Sequence, residues 1–513
     1  MHSISVAELP FFSNLVKDYL QENPKTKKLY SFSPCIDGLK EALESKEKNY
    51  TQRDVLNIVL DNNYLNDYIP SDKEKEHLAL LRHNGFAITT AHQPNLFLGP
   101  LYTITKAVST IALANKLNEA LGETRVVPIF VIGSEDHDKE ELLHTYLFGK
   151  KHEWVTNQQG SIGSMKIDDS FNSLLDEWLN GFGNMPYAEE LTKLFQACYH
   201  QGNTIAESFG LFLKQVFGRH GLIVLDLNQK EVKHTMIPIF QKELEENYSM
   251  NSLKSNLEYL KAEYSLQAEP RAINLFEYTN GERIRIDHAD QALIEKLHTH
   301  PENFSPNVIL RPLMQQTVLP SIANIGGGAE VSYWLQLKPI FDEALIDFPA
   351  IILRDIFSPL DKKSFDKWTE NKLNLEDFFL HTDTFRKKIV LQDSSLESDF
   401  KKIENATIGS FEAIENKLVE IDKSLAGSYQ AELVKLQKSI ETLYSKAVKA
   451  EKKKAEDLIN SLEKIKNKVF EANYLLERKE NFSSYYLKYG SAWIENMIHN
   501  ADPLKGEWKL DIL

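Results

Sequence analysis

Phe86-Ala87-Ile88-Thr89-Thr90 and Val126-Val127-Pro128-Ile129-Phe130-Val131-Ile132 are the two stretches that decide how this chain folds. The first is a short run of strand formers. The second is almost continuously apolar, the pattern of a parallel strand covered on both faces. Between them a polar loop runs from His92-Gln93-Pro94-Asn95 to Gly99-Pro100. Residues 101–121 follow with helical periodicity, and Gly122 offers a C-terminal stop. Strand, helix and strand at this spacing make a βαβ unit.

Working outward, 221–226 is a third buried strand candidate. Ile322 to Ile325 leads through Gly326-Gly327-Gly328 into a helix over about 330–346, and Pro349-Ala350-Ile351-Ile352-Leu353 resumes the alternation. The pattern predicts an α/β protein whose parallel-sheet core is built in two halves, 81–150 and 305–390, with insertions over 151–304. Within the insertions, Asn280-Gly281 between alternating runs predicts an antiparallel hairpin, because both residues tolerate positive φ.

Residues 1–80 read as a helical lobe, with Leu56, Val59 and Leu60 on an apolar stripe. Over 391–480 apolar residues step by three and four among Lys and Glu: Phe411, Ile414, Leu418, Ile421, then Leu433, Leu436, Ile440, Leu443 and onward to Leu476. This is a heptad seam broken near Ala426-Gly427-Ser428, and predicts a helical hairpin. Its second helix is expected to run roughly 45–50 residues, or about 70 Å. The segment 481–513 is too aromatic for a free tail and is expected to pack on the body.

The formal net charge of −15 disfavours binding to nucleic-acid phosphates. Two cysteines, Cys35 and Cys198, exclude a disulfide scaffold and fit a reducing compartment. No signal peptide and no apolar run of membrane-spanning length is evident, so a cytoplasmic protein without membrane association is expected. P-loop, dinucleotide-binding, zinc and nucleophile-elbow motifs are absent.

Three stretches could carry chemistry. The first is the loop bearing His92, Gln93, Asn95 and Gly99, which lies between a strand end and a helix start, where open α/β sheets bind anions. The second is Glu135-Asp136-His137-Asp138, where three carboxylates and an imidazole crowd the end of 126–132. Such crowding calls for a cation, an ammonium or Mg²⁺. The third runs from Arg311 through Gln316 and Asn324 to Gly327, Gly328, Glu330 and Tyr333. Glycines there allow close backbone approach to a ligand, and Arg311 offers a fork for carboxylate or phosphate.

Ala91-His92-Gln93-Pro94-Asn95-Leu96-Phe97-Leu98-Gly99-Pro100-Leu101-Tyr102 with Lys106 resembles the signature loop of the bacillithiol cysteine-adding enzyme family, BshC. So do Pro128-Ile129-Phe130 with Glu135 to Asp138, and the run from Ser305 to Pro312 continued through Gln316, Glu330, Tyr333-Trp334 and Lys338-Pro339. The order and spacing fit nearly the whole chain. Departures occur where the family loop usually reads Gly-Gln-Gln-Pro-Gly, and at Gly328-Ala329, where Pro and Gly are common.

The resemblance implies a Rossmann-like core similar to class I synthetases and nucleotidyltransferases, two connective insertions, and a coiled coil that makes a homodimer. It implies addition of L-cysteine to glucosaminyl-malate, giving bacillithiol. An amide from a carboxylate needs an activated acyl group, so ATP or ADP is expected, with Mg²⁺. On this reading His137, Asp136, Arg311 and Glu330 are the catalytic candidates. His92, Gln93, Asn95, Gly99, Gly327 and Gly328 hold the nucleotide, and Glu135, Asp138, Gln316, Asn324 and Tyr333 hold substrate, with no resident metal site. The alternatives are a nucleotide-binding scaffold without catalysis and a nucleotidyltransferase with another acceptor.

Overall fold

A computed structural model of the chain describes residues 1–64, 68–392 and 395–513. Five parallel strands form one sheet: β1 (Phe86–His92), β2 (Val126–Ile132), β3 (Ile223–Asp226), β4 (Ser321–Gly326) and β5 (Ala350–Leu353). They are hydrogen-bonded in the order β5-β4-β1-β2-β3. All residues of β1, β2, β4 and β5 are buried, as coverage on both faces requires. Pro128 lacks an N–H, yet sits in β2. Pairing with β3 starts only at Ile129, so Pro128 has a single neighbouring strand and removes little from the ladder.

The sheet grows from β1 outward through β2 and β3, then returns to add β4 and β5 on the other side of β1. This is Rossmann-like winding, and the reversal opens a crevice beyond the carboxyl ends of β1 and β4. The expected α/β class, Rossmann-like core and helical coiled coil are all present. Helix α1 (Tyr102–Leu121) joins β1 to β2 and stops at Gly122, φ +73°. Helix α2 (Gly328–Ala344) joins β4 to β5. Thr89 and Ser321 share a 2.8 Å hydroxyl hydrogen bond, and Thr90 donates to the Ile325 carbonyl at 2.9 Å. These buried polar ties fix the β1–β4 pairing next to the crevice.

The hairpin forms with Leu275–Thr279 against Glu282–Arg285. Asn280 and Gly281, at φ +54° and +82°, make its two-residue turn. Residues 1–80 are not helical throughout. Helices Ile36–Asn49, Arg53–Tyr64 and Asp72–His83 are preceded by a strand, His2–Ser5, which pairs antiparallel with Glu507–Ile512. Four residues carry no periodicity of their own, and their partner lies at the other end of the chain. Nearer the C-terminus, Tyr486, Trp493, Ile494 and Met497 share an apolar cluster with Phe97 and Trp178.

Two compact units result: Met1–Pro359 together with Leu475–Asp511, and Leu360–Tyr474. The second unit begins at Leu360, ahead of the change of composition near 391. It is helical, and Leu396–Ile421 packs against Leu425–Lys454, with Phe400 against Tyr444 and Phe411 against Tyr429. The single long second helix expected from the seam is two helices, Leu425–Lys454 and Glu456–Asn467, meeting at Ala455. Lys452, Lys453 and Lys454 complement a helix C-terminus, while Glu456 and Asp457 complement an N-terminus, so the charges favour a break there. Among the described residues no helix is long and apolar enough to cross a membrane.

Candidate active site

The carboxyl ends of the strands deliver the site. β1 ends in Ala91 and His92, β2 passes into Gly133 to His137, and β3 ends at Asp226. β4 opens into Gly327, and β5 into Arg354. All border one cavity of about 440 Å³. The stretches near 92, 135 and 327 thus meet at one rim of the parallel sheet. Of the candidates from sequence, His92, Gln93, Glu135, Asp136, His137, Arg311, Gly327, Glu330 and Tyr333 line it.

One group of charges is cationic. Lys106 of α1 is buried, ion-paired with Glu330 of α2, and donates to the Ala91 carbonyl at 2.7 Å. It also faces His92 Nδ1 at 3.4 Å. An ammonium only donates, so Nδ1 accepts and Nε2 carries the ring proton. That Nε2 is buried without a partner among the described residues. Burial, then the charges of Lys106, Arg354, Arg311 and Arg478, hold the His92 pKa well below the usual imidazole range. The ring is therefore neutral at pH 7.

Arg354 follows β5 directly. Its guanidinium forms a bidentate pair with Glu477 at 2.6 and 2.9 Å and donates to Thr105 at 3.1 Å. Its Nε–H is also buried and unpartnered among the described residues. Gly327 stands beside it: a Cβ there would lie 3.7 Å from Nε. A buried donor left unmade costs about 1–3 kcal/mol. Two of them border one cavity, where an entering acceptor could reach both. Arg311 donates to the Tyr333 hydroxyl at 3.0 Å, and burial pushes that phenol up to about 12.

The second group is mainly acidic. Glu135 pairs with buried Lys233 at 2.5 Å. Asp136 Oδ1 accepts from the N–H groups of His137 at 2.7 Å and Asp138 at 3.2 Å, and Oδ2 accepts from Gln93 at 3.2 Å. Asp226 Oδ1 accepts from the Ser134 hydroxyl at 2.7 Å and the Asn228 N–H at 2.8 Å. The hairpin contributes Phe276 and Arg283. The Arg283 guanidinium lies 3.9 Å over the Phe276 ring and donates to Ser305, to the Pro306 carbonyl and to His137 Nδ1 at 3.0 Å. Since Arg has no acceptor, His137 must accept at Nδ1 and present Nε2–H to its surroundings. In this tautomer the imidazole is a donor toward the cavity. Among the described residues no three His, Cys, Asp or Glu side chains converge as metal ligands.

Six candidates do not line the cavity. Asn95 and Gly99 belong to a turn whose Leu96, Phe97 and Leu98 are buried in the apolar cluster. Gly99, at φ +56°, is pressed against Asn95, where a Cβ would lie 2.5 Å from the Asn95 Cβ. The turn is shaped for packing. Gly328 has the Phe12 ring against it. Asp138 caps the helix Lys139–Leu142 by accepting from the Glu141 N–H at 3.1 Å. Asn324 accepts from Gln315 at 3.1 Å inside the β1–β4 polar seam, and Gln316 donates to the Ser321 carbonyl.

Sequence reasoning passed over Arg354, Asp226, Arg283, Glu477 and Arg478. The rule applied to 135–138, polar residues directly after a buried strand, would have found Asp226 and Arg354. Arg283 was visible only as a hairpin residue. Glu477 and Arg478 reach the site through long-range packing that no local pattern announces.

A Rossmann-like sheet with a pocket of both charge signs at its switch point, in a chain that also carries a helical coiled-coil unit, defines an α/β protein with a polar cavity of ligand size. Family models named Bacillithiol biosynthesis BshC match here, the N-terminal Rossmann-like domain over residues 1–355 and the C-terminal coiled-coil domain over 358–511. Proteins named "Putative cysteine ligase BshC" are similar along their whole length. Those of Flavobacterium johnsoniae and Flavobacterium psychrophilum are each 32% identical, over 98% and 99% of this chain and 98% of their own. That of Christiangramia forsetii is also 32% identical, over 99% of this chain. The chain belongs to the bacillithiol biosynthesis BshC family, and is an enzyme of the ligase class.

Proposed function

We propose that this enzyme joins the carboxyl group of L-cysteine to the amine of glucosaminyl-malate, the last step of bacillithiol biosynthesis, with ATP as the activating co-substrate. The observation that carries the reading is the pair of buried donors without a partner among the described residues, His92 Nε2 and Arg354 Nε, which border one cavity with Gly327. Fixed donors of this kind, with Lys106 and Arg311 nearby, suit phosphate or carboxylate oxygens and stabilise charge that develops on them. The carboxylates of the second group suit an ammonium. A cavity of about 440 Å³ is of ligand size.

In this reading His92, Gln93, Gly327 and Arg354 hold the anionic end of the nucleotide or activated acyl group, and Arg311 and Glu330 flank it. His137, donating through Nε2, orients the acceptor with Glu135 and Asp136. Mg²⁺ accompanies ATP as the counter-ion of its phosphates. The enzyme acts in the cytoplasm, where its two free thiols stay reduced. A homodimer forms through the second unit, whose helices leave Ile414, Ile421 and Leu443 exposed.

The direct test supplies purified enzyme with cysteine, ATP and glucosaminyl-malate and follows product mass. Amide formation that depends on all three is the expected result. ATP turnover or amide formation independent of cysteine would sink the reading.

A further inference from the structure

The structure assigns Asp226 as the group that takes a proton from the incoming ammonium before the amine attacks. This deepens the ligase reading and rests on it. A sugar amine arrives largely as R–NH3⁺, with no lone pair to form a bond, so a base must reach it inside the cavity.

Most of the other bases bordering the cavity are engaged. Glu135 is tied to Lys233. Asp136 uses one oxygen on two backbone N–H groups and the other on Gln93. His137 and His92 have their acceptor nitrogens turned to Arg283 and Lys106. Glu330 is paired with Lys106. Glu141 is exposed, on the short helix Lys139–Leu142, with the like charges of Asp136 and Asp138 near it. Asp226 differs from all of these. It stands at the end of a core strand, and both of its fixed donors, Ser134 and Asn228, converge on Oδ1. Oδ2 receives no hydrogen bond among the described residues, and the residue lines the cavity. One oxygen anchored and the other open is the geometry of a positioned base.

Its protonation behaviour agrees. Burial lifts Asp226 to about 6, opposed by its two donors. The charges facing it are Glu135, which raises it, and Lys233, which lowers it. Such a carboxylate is mostly ionised at neutral pH yet basic enough to accept a proton.

The step balances as follows. R–NH3⁺ gives one proton to Asp226 Oδ2. The freed lone pair attacks the cysteinyl acyl carbon, which the nucleotide has activated, and the C–N bond forms as the bond from carbon to the activating oxygen breaks. The departing oxyanion takes that electron pair and the second nitrogen proton, and Asp226 returns its proton to solvent.

The test compares wild type with Asp226→Asn, using cysteine, ATP and either glucosaminyl-malate or hydroxylamine, an acceptor that is unprotonated at neutral pH. Expected are a loss of turnover with the sugar amine of about a hundredfold or more, a KM for it changed by less than about threefold, and hydroxamate formation within about threefold of wild type. A second variant, Ser134→Ala, removes a donor to the carboxylate and is expected to move the acid limb of the kcat/KM profile to higher pH. Equal loss with both acceptors, or wild-type turnover with the sugar amine, overturns the assignment of Asp226 and leaves the ligase reading standing. Wild-type enzyme that makes neither amide nor hydroxamate overturns the ligase reading and this inference with it.

Discussion

Arg354 shows how one residue serves stability and the site together. Its guanidinium and the Glu477 carboxylate are both almost wholly buried, at 5% and 1% side-chain exposure. Burial alone would weaken the Arg354 charge, but the carboxylate more than compensates and raises its pKa. Breaking such a pair from one side leaves a charge stranded, which costs about 3–5 kcal/mol. Glu477→Ala should therefore lower the urea-unfolding free energy by about that amount, and the double variant Arg354→Met with Glu477→Leu by distinctly less. Equal losses in the two variants would mean the pair is not what holds this region. His92 carries a different signature. The folded protein keeps its ring neutral, whereas the unfolded chain protonates it near 6.5. Its contribution to stability is complete above that value and is lost as pH falls below it, because unfolding then takes up a proton. From pH 7.5 to 5 the urea midpoint of His92→Gln should fall less than that of wild type. A parallel fall would remove His92 from the titration. Both residues follow the same rule, polar groups at the carboxyl end of a buried strand, but only His92 sat in a loop whose composition advertised it.

At the scale of elements, the hairpin's turn was legible because Asn280-Gly281 dictates its own backbone, while its strands run Leu275–Thr279 and Glu282–Arg285. Gly281 holds φ +82°, and a Cβ there would meet nothing within 4 Å. Gly281→Ala should thus cost only conformational energy, about 1–2 kcal/mol. Faster amide hydrogen exchange confined to 275–285 is the expected readout, and exchange unchanged there would show that the turn tolerates the side chain. The parallel strands were legible for a related reason. Being buried on both faces, they must be apolar nearly throughout. The strand His2–Ser5 and the interruption at Ala455 were not. The first exists only through its distant partner, and the second turns on a reversal of charge that an apolar periodicity ignores. The turn 96–99 was misread because its polar neighbours suggested a ligand loop, whereas Leu96, Phe97 and Leu98 commit it to the interior.

For the whole molecule, the helices of Leu360–Tyr474 leave large apolar side chains in solvent: Ile403, Ile414, Ile421, Val434 and Leu443 are all at least 46% exposed. If a second copy covers them, Ile414→Lys with Leu443→Lys should convert a dimer to a monomer in sedimentation velocity. A variant that sediments like wild type would argue against that interface. The chain's route has a consequence of its own. After Pro359 it departs for the helical unit and rejoins the first unit only at Leu475. Arg354 thus meets its carboxylate 123 positions later. During synthesis the ribosome must lay down the entire helical excursion before that guanidinium can be neutralised, so the catalytic unit matures last although nearly all of it is made first.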